Sequence, residues 1–202
     1  MHISEGVLSP TLLLGGAVLA GIGTAVGLKR MDYDQVVHVA LLTATFYLAS
    51  LVHVPIGPAS AHLVLNGLLG LLLGWAAVPA ILVALLLHAV MFQYGGLTVL
   101  GVNTVIMAGP ALVCWLLFRT WLRRGKALPA MASFVCGALG VFLGGLLLGG
   151  FLALNGEPFH TAAQVAVLAH VPVMILEGLV TMVVVGFLLK VKPELLQGAQ
   201  VS

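Results

Sequence analysis

The chain opens Met1-His2-Ile3. These residues hold three nitrogens on one covalent path: the α-amine of Met1, the amide nitrogen of His2 and Nδ1 of its imidazole. Folded around a metal ion, they close one five-membered and one six-membered chelate ring. They then fill three corners of a square plane and leave the fourth open. Tetragonal nitrogen sets suit Ni(II) and Cu(II). The arrangement needs Met1 as an unblocked terminus. The bulk of His2 favours retention of Met1, since initiator methionine is trimmed ahead of small residues. His62, in Gly57-Pro58-Ala59-Ser60-Ala61-His62, is the candidate for the open corner, because non-helical backbone is tolerated at membrane depth where it lines a cavity.

The geometry carries its own selectivity. An amide proton leaves near neutral pH only when a metal replaces it, which Ni(II) and, less readily, Co(II) can do in a square-planar field. Ca²⁺ and Mg²⁺ demand six or more oxygens, and Zn(II) prefers a tetrahedron. Cu(II) would bind such nitrogens well, so its exclusion rests on cellular availability.

Other residues could orient these ligands. A ligating imidazole normally donates its second N–H to an acceptor that fixes its tautomer. Ser60, Gln93, Thr98 and Asn103 are polar residues at expected outer helix ends, equally readable as caps or turn residues. His88 could add a polar group near the site. Glu177 is the one acid in the middle of an expected crossing. Intramembrane carboxylates are costly and are functional or paired, so Glu177 balances metal charge, pairs with a neighbouring helix, or is protonated and merely hydrogen-bonded. Glu5 and Glu157 are expected on a solvated outer surface. Cys114 and Cys136 sit in apolar runs and read as small packing residues.

The elements that must position these residues are membrane helices. Apolar residues make up 61% of the 202 and charged residues 7%, against about 25% charged in a soluble domain. A crossing takes roughly 20 mostly apolar residues. The expected fold is therefore an all-α integral membrane protein, one transmembrane domain over 1–202. Apolar runs place about seven crossings near 7–27, 35–53, 61–75, 78–92, 98–118, 130–154 and 162–189, the third short and partly interfacial. The start MHISEG lacks the basic n-region of a cleavable signal. With the N-terminus outside and the C-terminus cytoplasmic, all 8 Lys and Arg residues fall inside, as the positive-inside rule requires. Of the 7 histidines, all but His38 fall toward the outer face. Ala17, Gly21 and Ala25, and Gly140 and Gly144, recur at a spacing that permits close helix approach.

Four segments occur in order: MHISEG, VHVPIGPASAHLVLNGLLGLLLG, FQYGGLTVLGVNTVIMAG and HVPVMILEGLVTMVVVGFL. In these the chain resembles the CbiM/NikM family, the substrate-specific membrane subunits of energy-coupling-factor transporters for cobalt and nickel, from Met1 to about Glu194. The resemblance implies a square-planar site built from the Met1 amine, the His2 amide and imidazole, and His62. It implies Co²⁺ or Ni²⁺ bound as transported substrate, with no resident cofactor. It also implies a transmembrane coupling subunit, two ATPase subunits and a small accessory membrane protein as partners, in the cell membrane of a bacterium or archaeon. Two residues depart from the family pattern: Tyr94 stands where Asp is common, and His88 where Gln is frequent.

The chain carries no G-x-x-x-x-G-K-[ST], so coupling to ATP would come from another subunit. It also lacks H-E-x-x-H and G-x-S-x-G, which argues against an enzyme. No nucleic-acid partner is expected. The competing reading is a stand-alone secondary carrier or channel for divalent cations, which calls for acids spread over several helices or for related interrupted halves. Neither is visible.

Overall fold

The computed structural model describes residues 2–51, 53–56, 59–123 and 130–198, with backbone alone at 53–56, 59–62, 121–123 and 197–198. Met1, Gly57, Pro58, Arg124 and Lys126 lie outside the described residues, as do the side chains of Ser60 and His62.

Among the described residues, seven helices of eight residues or more stand against the seven expected apolar runs. They are α1 (Pro10–Arg30), α2 (Val36–Ala49), α3 (Asn66–Leu73), α4 (Ala77–Phe92), α5 (Leu100–Arg123), α6 (Ala130–Leu154) and α7 (His160–Val191); a short α8 (Glu194–Gly198) follows. α1 begins with Pro10 in its first turn and ends on Lys29 and Arg30. A missing N–H is harmless at a helix start, and cations suit the negative C-terminal end of the helix dipole. Among the described residues, five helical units are long and apolar enough to cross a bilayer: Pro10–Arg30, Asn66–Phe92, Leu100–Thr120, Ala130–Leu154 and Glu157–Val191.

The expected third crossing is corrected. Residues 61–75 do not form one helix. They continue a β-hairpin, β2 (His53–Ile56) and β3 (Ala59–His62), which leads into α3. α3 has eight residues and rises about 12 Å, well short of the roughly 30 Å hydrocarbon core. A turn at Gly74 (φ 55°) then feeds α4. The second run is also shorter than expected, ending at Ala49 rather than near 53. The physical cause is local: Pro55 and Pro58 cannot supply helical N–H groups. Pro55 falls on β2, an edge strand of the β1-β3-β2 sheet, where a strand tolerates proline.

Glycine lets the broken segment pack. A Cβ at Gly70 of α3 would lie 2.0 Å from the Ala111 carbonyl oxygen of α5, and one at Gly67 2.5 Å from that of Cys136 on α6. The α6 glycines are used inside the bundle too: a Cβ at Gly140 would meet Asn66, and one at Gly137 would meet Thr181. Ala17 packs against Gly101, whereas Gly21 faces open space. Cys114 and Cys136 are free and buried, as packing residues should be.

Candidate metal centre

The N-terminal residues enter the bundle as a strand. β1 (His2–Ile3) pairs antiparallel with β3, His2 opposite Ser60 and Ile3 opposite Ala59. β2 pairs with the other edge of β3, His53 opposite His62. Directly opposed residues share a face, and a strand alternates with period two. Positions 2, 60, 62 and 53 therefore lie on one face of the sheet. His2 and Ile3 are both buried.

Three clamps hold this segment, and each reads backbone. The Asn103 carboxamide grips Ile3 from both sides: Ile3 N–H donates to Asn103 Oδ1 at 2.8 Å, and Asn103 Nδ2 donates to the Ile3 carbonyl at 3.1 Å. β1 thus lies between β3 and an amide side chain that mimics another strand edge. At Glu5, the backbone N–H donates to the Gly95 carbonyl at 3.0 Å. The Glu5 Oε1 accepts from Thr98 N–H at 2.9 Å and from Thr98 Oγ1 at 3.2 Å. Gly96 makes room for this carboxylate, since a Cβ there would sit 1.9 Å from Glu5 Cγ, and its φ of 129° favours glycine. The Thr98 backbone N–H, above all, holds the exposed Glu5 carboxyl below its ordinary pKa. Further along, Ser9 N–H donates to Asn155 Oδ1 at 2.7 Å and Asn155 Nδ2 donates to the Val7 carbonyl at 2.5 Å.

His88 comes to the site from α4 and is fully buried. Its ring meets that of His2 edge-on, centroids 5.7 Å apart, and stacks on Tyr47 at 4.7 Å. Its Nε2 lies 3.0 Å from the Tyr47 carbonyl and 3.3 Å from Ser50 Oγ. A carbonyl only accepts, so Nε2 carries the proton. Tyr94 lies tilted to His88, centroids 6.2 Å apart.

Glu177 reaches the hairpin from α7. Its carboxylate accepts the N–H of Val64 and, at 2.8 and 2.9 Å to its two oxygens, that of Leu65. His170, about two turns nearer the start of α7 on the same helical face, is buried with Nδ1 2.6 Å from the Ala166 carbonyl.

Among the residues singled out from sequence, the structure therefore brings His2, His88 and Asn103 together, and ties Glu177 to the inner end of the hairpin. Thr98 acts one step removed, through Glu5. Gln93 differs: its side chain is exposed and its backbone, at φ 57°, turns the chain at the end of α4. Ser60 and His62 are placed by backbone register alone, and Met1 lies outside the described residues. Glu5, expected to be merely solvated, is an anchor. Asn155 and Ser50 carry roles that sequence reading missed. The signal at Asn155 was its position in Asn155-Gly156, which reads equally well as a helix stop.

A helical bundle that admits an N-terminal strand and a hairpin into its interior, with imidazoles at their meeting point, defines a multi-pass membrane protein with a buried polar site. The family model for the CbiM cobalt uptake substrate-specific transmembrane region matches residues 2–195. A metal transport protein of Haemophilus influenzae is 42% identical over 199 residues, covering 97% of each chain. The fused nickel transport protein NikMN of Rhodobacter capsulatus and the cobalt transport protein CbiM of Geobacter sulfurreducens are each 32% identical over 97% of this chain, which spans 64% and 61% of their lengths. The crystal structure of a truncated transition metal transporter superposes with a TM-score of 0.83 at 27% identity, covering 94% of this chain and 99% of that one. The chain belongs to the CbiM/NikM family of cobalt and nickel uptake components, and it is a multi-pass membrane protein.

Proposed function

We propose that the chain captures Co²⁺ or Ni²⁺ with high affinity at the outer face of the membrane, as the substrate-binding subunit of an ATP-driven energy-coupling-factor transporter. The ligands are the Met1 α-amine, the His2 amide nitrogen and imidazole, and His62. The ion is substrate, and the chain itself is not an enzyme. ATP hydrolysis falls to two ATPase subunits acting through a transmembrane coupling subunit, with a small accessory membrane protein alongside. The N-terminus lies outside and the C-terminus in the cytoplasm.

The observation that carries this reading is the register of β1 on β3. It sets position 2 opposite position 60, two residues from His62 on the same face of the sheet, while Asn103 fixes the next peptide. A terminal chelate is floppy in an isolated peptide, and rigid support raises affinity by removing the ordering cost. Buried strand backbone supplies that support. The names of the relatives, cobalt and nickel transport proteins alike, agree with a nitrogen site that both ions can enter.

The test is metal content and visible absorption of the detergent-purified protein with its native N-terminus, loaded separately with Ni²⁺ and Co²⁺. About one equivalent with a square-planar d–d band is expected, with loss of both in His2→Ala and in a protein extended at its N-terminus by a tag. Tight binding by the tagged protein refutes the ligand set.

A further inference from the structure

The hairpin that carries His62 must stay in place within the bilayer, and its inner end is the weak point. Residues 63–65 leave β3 without regular structure before α3 begins at Asn66. Leu65 there adopts a left-handed conformation, φ 52°, which strains a non-glycine residue. The Val64 and Leu65 N–H groups face α7 in buried surroundings, where a donor without an acceptor is expensive. One group answers all of this. The Glu177 carboxylate takes both N–H groups with its two oxygens. On the far side, Asn66 Nδ2 donates to the Gly140 carbonyl of α6 at 3.0 Å, and Asn66 Oδ1 accepts from Gly67 N–H. The exit of the hairpin is thus fastened to α7 and α6 together.

The depth is also informative. Glu177 lies 17 residues into the 32-residue α7, about 26 Å along it. A carboxylate this far into a membrane helix is retained for a reason. Both its oxygens accept backbone N–H groups, which gives the carboxylate partners without a metal ion. A carboxamide is a poorer fit, because its Nε2 would stand where Glu177 Oε2 accepts the Leu65 N–H and would meet N–H with N–H.

We propose that Glu177 is a positioning residue of the metal centre. By holding Val64 and Leu65 it locks the strained exit of the β2–β3 hairpin, and so sets His62 in register with His2. This rests on the ligand set proposed above, and acts through backbone two residues from His62.

The experiment measures Ni²⁺ affinity, by equilibrium dialysis of purified full-length protein, for wild type, Glu177→Gln, Leu65→Gly, the double variant and His2→Ala. In Glu177→Gln, Kd rises at least tenfold while the d–d band at saturating Ni²⁺ keeps its wild-type position, because the ligands are unchanged. In the double variant part of that loss is recovered, because glycine adopts the left-handed exit at no cost and needs no latch. A role confined to overall packing would lower folded yield and would not be rescued at position 65. Wild-type affinity in folded Glu177→Gln overturns the proposal, whereas retained binding in His2→Ala overturns the ligand set instead. Should Glu177→Gln not fold, hydrogen exchange on the wild-type protein decides: the Val64 and Leu65 amides are expected among the slowest of residues 53–66, and rapid exchange at both refutes the latch.

Discussion

At the scale of single residues, the structure is a lesson in how a short peptide is held without being read. Asn103 and Asn155 grip main-chain groups of residues 3–9, and Glu5 in that segment is held through its own N–H to Gly95 and its carboxylate to Thr98. Asn103 is the most exacting of them, because its donor and acceptor both serve Ile3, which is wholly buried. Asn103→Ala leaves a buried N–H and a buried carbonyl unpaired, each costing about 1–3 kcal/mol. Metal affinity is expected to fall at least tenfold, since about 1.4 kcal/mol is a factor of ten; titration calorimetry with Ni²⁺ reads it directly. Glu5 gives a pH signature. Its carboxyl is lowered from 4.5 by the Thr98 N–H, so the anchor is fully formed above the ordinary carboxylate value and is lost as pH falls through the lower folded value. The Thr98 amide resonance should report this, titrating with a midpoint below 4.5 in wild type and not at all in Glu5→Gln. A midpoint at or above 4.5 contradicts the bond.

At the scale of elements, the decisive feature is the break between α2 and α4. Two short helices and a hairpin occupy the place of two ordinary crossings, and the backbone freed by the break pairs with β1, Glu177 and its own partner strand. Membranes tolerate such backbone only where protein satisfies it. α3 fits this interior because its two glycines, Gly67 and Gly70, remove side chains at its contacts with α6 and α5. Gly70→Ala drives a Cβ into the Ala111 backbone, 2.0 Å from its oxygen, with no flexible side chain to yield. A loss of about 1–3 kcal/mol or more is expected, seen as a lowered midpoint of thermal unfolding in detergent. Gly21→Ala, which meets nothing within 4 Å, should leave that midpoint unchanged. The helices α4, α6 and α7 were legible to within two residues from hydropathy, because long apolar runs have one stable form in a bilayer. The hairpin was not. Its prolines announce the end of a helix, but its strand form depends on a partner, β1, nearly sixty residues away.

At the scale of the whole molecule, Arg30 stacks on Trp75 at 5.1 Å and Arg119 on Trp115 at 4.6 Å, so cations close the ends of α1 and α5 that the positive-inside rule assigns to the cytoplasm. Tyr33 and Glu157 are both exposed, at opposite ends of that scheme. Cys114 and Cys136 are buried and should give little background. In intact cells a membrane-impermeant maleimide is expected to label Glu157→Cys and to spare Tyr33→Cys until the cells are lysed. The reverse pattern inverts the orientation.

The amino-acid sequence alone determined the membrane class, the placing of the long helices and the nitrogen-rich start Met1-His2, because hydrophobic run length and covalent adjacency are local properties. Only the tertiary structure decided that β1 adds to β3, that Asn103 and Asn155 clamp a segment about a hundred residues or more away in the chain, and that the Glu177 carboxylate serves backbone amides. Those contacts join distant parts of the chain. Their partners are main-chain groups common to every residue, and nothing in the residue types announces which one a side chain will find.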